Sequence, residues 1–305
     1  MATETAAPRT SLAGSARHGG ASVLRRLRRE LRYAWATPSG RIGLPLVALH
    51  VVLALAGPLL APFPASEFHL DQRFSGPTAT YWLGTDEYGR DLLSRVMSGA
   101  SSIIGVSVAG TALGVAAGTV VGLASGYAGG KVDEVVMRCM DGLMSFPGLL
   151  LALLVLTTLG SSHVNIMLTI GIVFVPRVAR VLRAATLSIK TMEFVESARL
   201  RGESAPYIMF REILPNTIPV LTVETSVRLS YAILLASSLG FLGLGVQPPS
   251  ADWGLMISEG RGFMAQAPMI VLVPAAAVAS LVIGVNLLAE GLREARDLPR
   301  GERTP

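Results

Sequence analysis

Charge is what this chain has least of. Of its 305 residues only 15% are Asp, Glu, Lys or Arg, while 51% are hydrophobic. A soluble domain ordinarily carries about 25% charged residues, so this balance excludes a typical water-exposed surface. Cysteine is almost absent: Cys139 stands alone, which rules out a disulfide within the chain. Beside Met140 it reads as packing rather than chemistry. The four histidines have no zinc-like spacing. No glycine-rich loop ends in Gly-Lys-Ser/Thr, so the chain has no phosphate cradle for ATP. No nucleophile elbow or His-Glu-x-x-His pair occurs. A non-catalytic chain without cofactor or metal of its own is the expectation.

What it does have is long apolar runs. The mean hydropathy is +0.53, and a membrane span needs about 20 mainly apolar residues. Such runs cover Ile42–Phe63, Gly99–Tyr127, Val135–Leu159, Val164–Leu187, Pro219–Val246 and Pro268–Leu288. The fold class is therefore all-α, a polytopic membrane protein with six transmembrane helices. Asp133 to Asp141 also reads as an interfacial turn of helix, and Pro147 as a bend in the third span. A cleaved signal peptide does not explain the start. The basic leader is too long, about forty residues, and the first apolar run is long enough to span. The first 20 residues, rich in Ala, Ser, Gly and Thr, are expected to be disordered.

Arginines set the orientation, because cytoplasmic loops carry the excess of Lys and Arg. With the N-terminus inside, Arg25, Arg26, Arg28, Arg29, Arg32 and Arg41 are cytoplasmic. So are Lys131, Arg138, the group from Arg177 to Arg211, and Arg293, Arg296, Arg300 and Arg303. Only Arg73, Arg90, Arg95 and Arg261 of the 26 basic residues fall outside. Both termini are then cytoplasmic. The net charge of +5 anchors spans against anionic headgroups rather than nucleic acid. Arg177, Arg180 and Arg183 are expected to snorkel to the inner surface.

The division that follows is a cytoplasmic segment 1–41, a first helix with external segment 42–98, a five-helix core 99–290 and a tail 291–305. The core carries a charged cytoplasmic loop, 188–218. Within that loop Glu193 and Glu196 precede Arg199 and Arg201, an order that suits a helix dipole. Gly202 supplies a left-handed stop. Phe194, Val195 and Ala198 share one face, and a second short helix is expected between Pro206 and Pro215. Two surface helices with charge and one apolar face suit docking onto a soluble partner.

Other segments carry weaker signals. Gly110, Gly114, Gly118, Gly122 and Gly126 form one narrow stripe, read as close helix packing within the chain. Asp86 is placed to cap a helix running through Leu92 and Leu93. Glu134 and Arg138 are spaced for a helical ion pair. Glu224 and Arg228, four apart near the inner end of the fifth span, can neutralise each other and read either as a pore or gate pair or as a purely structural one. Trp253 reads as an interfacial anchor after a proline-broken turn.

Four of these stretches resemble the permease subunits of binding-protein-dependent ABC importers. Glu196-Ser197-Ala198, Gly202 and Ile213-Leu214-Pro215 resemble the "EAA…G…I-LP" loop, with Ser197 at the middle alanine. LGTDEYGRDLLSR (83–95), GYAGGKVD (126–133) and LGFLGLGVQPPSADWG (239–254) are similar to segments of the dipeptide, oligopeptide and nickel branch, in the same order. Residues 33–63 look like the N-terminal extension of its second, "C"-type subunit. The resemblance implies a type I importer permease fold in a bacterial cytoplasmic membrane. It further implies ATPase coupling through Glu193, Glu196, Ser197, Ala198, Arg199, Gly202, Ile213, Leu214 and Pro215. The external mouth, or docking site for a substrate-binding protein, would involve Asp86, Arg90, Asp91, Gln247, Asp252 and Trp253. Partners would be a homologous permease subunit, two ATPase subunits or domains holding ATP and Mg²⁺, the binding protein and the lipid bilayer, with no nucleic acid. Peptides are the implied cargo; nickel or another small solute is the alternative. An independent secondary transporter is a further reading, but no inverted repeat supports it.

Overall fold

The computed structural model describes Arg32 and residues 34–247 and 250–297. The first 20 residues, the arginines at 25–29, Pro248, Pro249, Arg300, Arg303 and the side chain of Arg296 lie outside that description. Helices α1 (Pro38–Leu60), α2 (Leu92–Ala128), α3 (Gly130–Met144), α4 (Gly148–Leu159) and α5 (His163–Ile189) come first. They are followed by α6 (Glu193–Leu200), α7 (Leu214–Phe241), α8 (Trp253–Gly260) and α9 (Met269–Asp297).

Among the described residues, five helices are long and apolar enough to cross a membrane, α7 counting from Ala205. The expected third span is not straight. It breaks into α3 and α4, which meet at 85°. Pro147 sits at the N-cap of α4 and cannot donate the hydrogen bond that would carry the helix through. The pair makes a sixth span only if taken together. The last helix runs to Asp297, so the tail expected from 291 starts as helix.

Helix α2 is the axis. Its 37 residues give it a length of about 55 Å. It runs parallel to α5, joined through the glycine stripe. A side chain at Gly110 would meet Ile170 at 2.8 Å, one at Gly118 would meet Val178 at 2.6 Å, and one at Gly126 would meet Thr186 at 2.9 Å. The two helices therefore touch backbone to side chain along four turns, and the stripe packs inside the chain as expected. Leu92, Ile103, Ile170, Phe174, Ile233 and Trp253 belong to the main core. Helix α1 lies across α2 and α9, again through a glycine: a side chain on Gly43 would meet Leu288 N at 2.3 Å. Its other face exposes Leu49, Val52, Leu55 and Leu59, as lipid contact requires.

Two arginines of α5 are held by carboxylates of α3. Arg183 forms a two-pronged pair with Asp133 (Nε–Oδ1 2.6 Å, Nη2–Oδ2 2.5 Å), and Arg180 pairs with Asp141. These bonds staple α3 to α5. Glu134 and Arg138 stand 3.9 Å apart with both side chains mostly exposed, a weak pair. Cys139 is exposed rather than packed.

Candidate functional site

At the far end of α2, the chain leaves α5 at Lys190, whose Nζ donates to Gly126 O at 2.7 Å. Three residues later α6 begins. Glu193 and Glu196 lie in its first turn and Arg199 in its last. Val195 and Ala198 are fully buried. They pack with Leu123, Ile189, Ile208 and Ile213 into a small second core that caps the bundle. Phe194, expected on that buried face, points outward instead. At about 100° per residue Phe194 falls at the edge of the face that Val195 and Ala198 bury, and its ring is about one-third exposed. Arg199 stacks its guanidinium 5.2 Å from the Tyr127 ring, worth about 0.5–1 kcal/mol at an exposed site.

Gly202 ends α6 with φ +76°. Its N–H bonds Arg199 O at 2.9 Å, and the Glu203 N–H reaches back to Ala198 O at 3.2 Å. These are the paired bonds of a Schellman stop. No atom lies within 4 Å of the place a Gly202 side chain would occupy. Backbone conformation, not space, demands glycine here.

The second surface helix does not stop at Pro215. Ala205–Tyr207 leads into a π-helical stretch, Ile208–Ile213, which passes directly into α7. Pro215 falls in the first turn of α7, where a missing N–H costs least, while Pro219 lies inside the helix. The wider π turn brings Ile208 and Ile213 onto the buried side. Leu214 is half-buried beside them and Pro215 is exposed. Outward, Glu193, Glu196, Ser197 and Arg201 surround the apolar groups of Phe194, Leu200, Tyr207 and Phe210. Leu200 is 84% exposed. A mixed apolar and charged patch on a rigid two-limbed projection is a protein-docking surface in its physical character.

The opposite end is built on buried charge. Asp86 is fully buried. Its Oδ1 accepts from the N–H groups of Tyr88 and Arg90, both at 2.9 Å, and its Oδ2 meets Arg90 Nε at 2.6 Å and Arg95 Nη1. Glu259 on α8 accepts from both arginines at 3.2 Å, and Glu87 bonds Arg90 at 3.3 Å. This network ties the 84–95 segment to α8. Asp91, not Asp86, caps α2, accepting from Ser94 N at 2.9 Å and Ser94 Oγ at 2.6 Å. Asp252 caps α8 in the same way through Leu255 N. Trp253 is wholly buried and donates Nε1–H to Val96 O at 2.9 Å. An interfacial anchor would be half in water; this ring fills the gap beside Gly99 instead. Asp86, Arg90, Asp91, Asp252 and Trp253 therefore do not form a contact surface themselves. They hold the shape of this end, and Gln247 is the exposed member of the group. The network was hidden because its members are 164 or more residues apart across the 84–95 segment and α8.

Burial pushes the Glu87 carboxyl up, as does the Asp86 charge, against the pull of Arg90. Burial also raises Asp252, against the amides of Leu255 and Gly254. Each holds its proton more tightly folded than unfolded. Their contribution to stability is thus greatest below the ordinary carboxylate range and is lost as pH rises through the raised values.

Between the two ends, Arg228 Nε meets Glu224 Oε1 at 2.7 Å, with the guanidinium 5.8 Å from the Phe174 ring and 5.5 Å from that of Tyr231. The pair does not lie near one end of its helix, as the apolar run suggested. Because α7 starts earlier than that run, Arg228 sits roughly 20 Å from either end.

A bundle of long apolar helices, capped at one end by a charged projection and closed at the other by a buried ion network, has the architecture of a polytopic membrane protein. The comparisons place it. Residues 118–296 match the family described as "Binding-protein-dependent transport system inner membrane component", and the chain belongs to that family. It is 42% identical over 252 residues to the glutathione transport system permease protein GsiD of Escherichia coli O157:H7, covering 82% of this chain and 83% of the relative. The Shigella sonnei counterpart matches equally. In fold it is similar to a chain from inward-facing structures of the MetNI methionine ABC transporter. That match has a TM-score of 0.55 at 17% identity, and covers 68% of this chain and 97% of the other. The protein is thus a multi-pass permease of a bacterial cytoplasmic membrane, of the peptide-type branch of ABC importers. The independent secondary transporter is not favoured.

Proposed function

We propose that this permease forms half of the pathway for small peptides, paired with a homologous subunit. Two ATPase subunits or domains would dock on the α6 end, and an external binding protein would deliver cargo at the other. The observation that carries the coupling role is α6 itself. It is a short, dipole-matched helix, cemented to the ends of α2 and α7 by Val195, Ala198, Ile208 and Ile213 and stopped by Gly202. Force applied to its outer face reaches two long helices without passing through a flexible loop. This end, with most of the basic residues, is the cytoplasmic one. ATP and Mg²⁺ belong to the partners, and closure of the ATPases would draw α6 and the bundle with it. Peptide cargo follows from the name of the glutathione relatives.

Gly202→Val tests the lever. A β-branched residue at φ +76° is strained by roughly 1–2 kcal/mol, and the limb after α6 must swing. Uptake by the assembled transporter should fall below a tenth, with membrane insertion unchanged because the site is open. Gly202→Asn, which tolerates the left-handed region, should keep most activity. Normal uptake by the valine variant would sink the lever. Glu196→Lys, reversing charge on the outer face, should weaken ATPase co-purification several-fold; undiminished recovery would make α6 a plain surface helix.

A further inference from the structure

Three arginines of α5 differ in what they meet. Along α5, Arg180 and Arg183 are paired with Asp141 and Asp133. Arg177, one turn earlier, has no carboxylate partner among the described residues and is only half-buried. It lies roughly 20 Å from either end of α5, the same depth that Arg228 has on α7. A guanidinium at that depth cannot face hydrocarbon cheaply, and such groups face a wet cavity or a partner.

The cavity is there. The 85° bend at Pro147 leaves a space of about 350 Å³ between α4, α5 and α7. Arg177, Arg228, Phe174, Tyr231 and Gly148 line it. At Gly148 the first carbon of any side chain would come within 3.6 Å of Arg177 Nη1. The same carbon would meet Val173 Cγ1 at 3.1 Å, so a larger residue here would crowd the wall of the space. Glu224 neutralises Arg228, and Arg228 in turn stacks near Phe174 and Tyr231. Among the described residues, the lining thus carries one positive charge without a carboxylate partner, beside the aromatic residues Phe174 and Tyr231. The space is large enough for a carboxylate and several waters.

We propose that Arg177, supported by Arg228 and Tyr231, forms a mid-membrane subsite for the carboxylate of a peptide in transit. The guanidinium fork matches a carboxylate in two-pronged geometry, and an otherwise empty positive cavity would give an anionic cargo a stepping point between the two ends. This rests on the peptide reading above.

Two measurements on the full transporter in proteoliposomes test it. The first compares uptake of a dipeptide with a free C-terminal carboxylate and of its C-terminal amide, each on saturating binding protein, for wild type, Arg177→Gln and Arg177→Lys. Because the binding protein is common, the variant-to-wild-type ratio reports the permease alone. The glutamine variant should lose about tenfold more on the acid than on the amide, and lysine should recover part of it. Equal losses on both peptides would mean a merely structural arginine and would overturn the proposal. The second needs no cargo. In a Cys139→Ser background, Tyr231→Cys is labelled with an anionic and a cationic methanethiosulfonate. The anionic reagent should react several-fold faster, and Arg177→Gln should abolish that preference. No labelling, or equal rates with Arg177 present, would overturn the cavity. If wild type hydrolyses ATP yet moves neither peptide while the anionic preference holds, the peptide reading fails and the anion site stands.

Discussion

Asp86→Ala should destabilise the protein by about 3–5 kcal/mol, the usual cost of removing one partner from a buried ion network. The expectation follows from position. Asp86 is fully buried and receives four bonds: two backbone amides, Arg90 and Arg95. Without it, two guanidiniums with 4% and 9% of their side chains exposed would share Glu259 and a Glu87 carboxyl that burial already biases toward its proton. Asp86→Asn should cost less, since its oxygen can still accept the amides of Tyr88 and Arg90. Thermal unfolding in detergent, followed by tryptophan fluorescence, reads the difference. An alanine variant that melts with wild type would show that the network contributes nothing to the fold.

Gly122→Val should prevent a stable chain from accumulating at all. A side chain at Gly122 begins 2.4 Å from Ala179 O and 2.8 Å from Leu182 Cβ. The first obstacle is backbone and cannot rotate away, so α2 and α5 must separate. Overpacking in a core commonly costs 1–3 kcal/mol. Here the wedge sits midway between further contacts at Gly118 and Gly126, and the loss should exceed that range. Gly105→Val is the control, because nothing lies within 4 Å of its added carbon. Membrane abundance and melting temperature of the two variants decide it. Equal behaviour would mean that α2 and α5 are not closely packed in the membrane.

Much of this could be read from the chain because the signal was local. The end of α6 was legible: Glu193, Glu196, Arg199 and Gly202 sit within ten residues, and each answers to the helix dipole or to the left-handed stop. The glycine stripe was legible because a four-residue period defines a face. The same locality misled at Pro215. Proline within the first turns of a helix and proline after its end look alike in sequence, and only the π turn before it tells them apart. Asp86 and Asp91 are five apart, and either could cap α2; the choice turned on which one the arginines claimed. Trp253 beside a proline-rich turn has the composition of an interfacial anchor, yet it is a core residue because Gly99 and Val96, far away in the chain, leave room and an acceptor for it.

By itself the sequence determined the solvent: too few charges and too many twenty-residue apolar runs for water, and hence helices with every backbone bond closed internally. It also determined the periodic faces and the helix stop, which depend on neighbours no more than a few residues away. The tertiary structure alone decided which charges are spent and which are free. Arg183 with Asp133, Arg95 with Glu259, and Arg177 with no carboxylate among the described residues differ only in what distant helices bring beside them, and Coulomb energy in a low-dielectric interior depends on that distance in space.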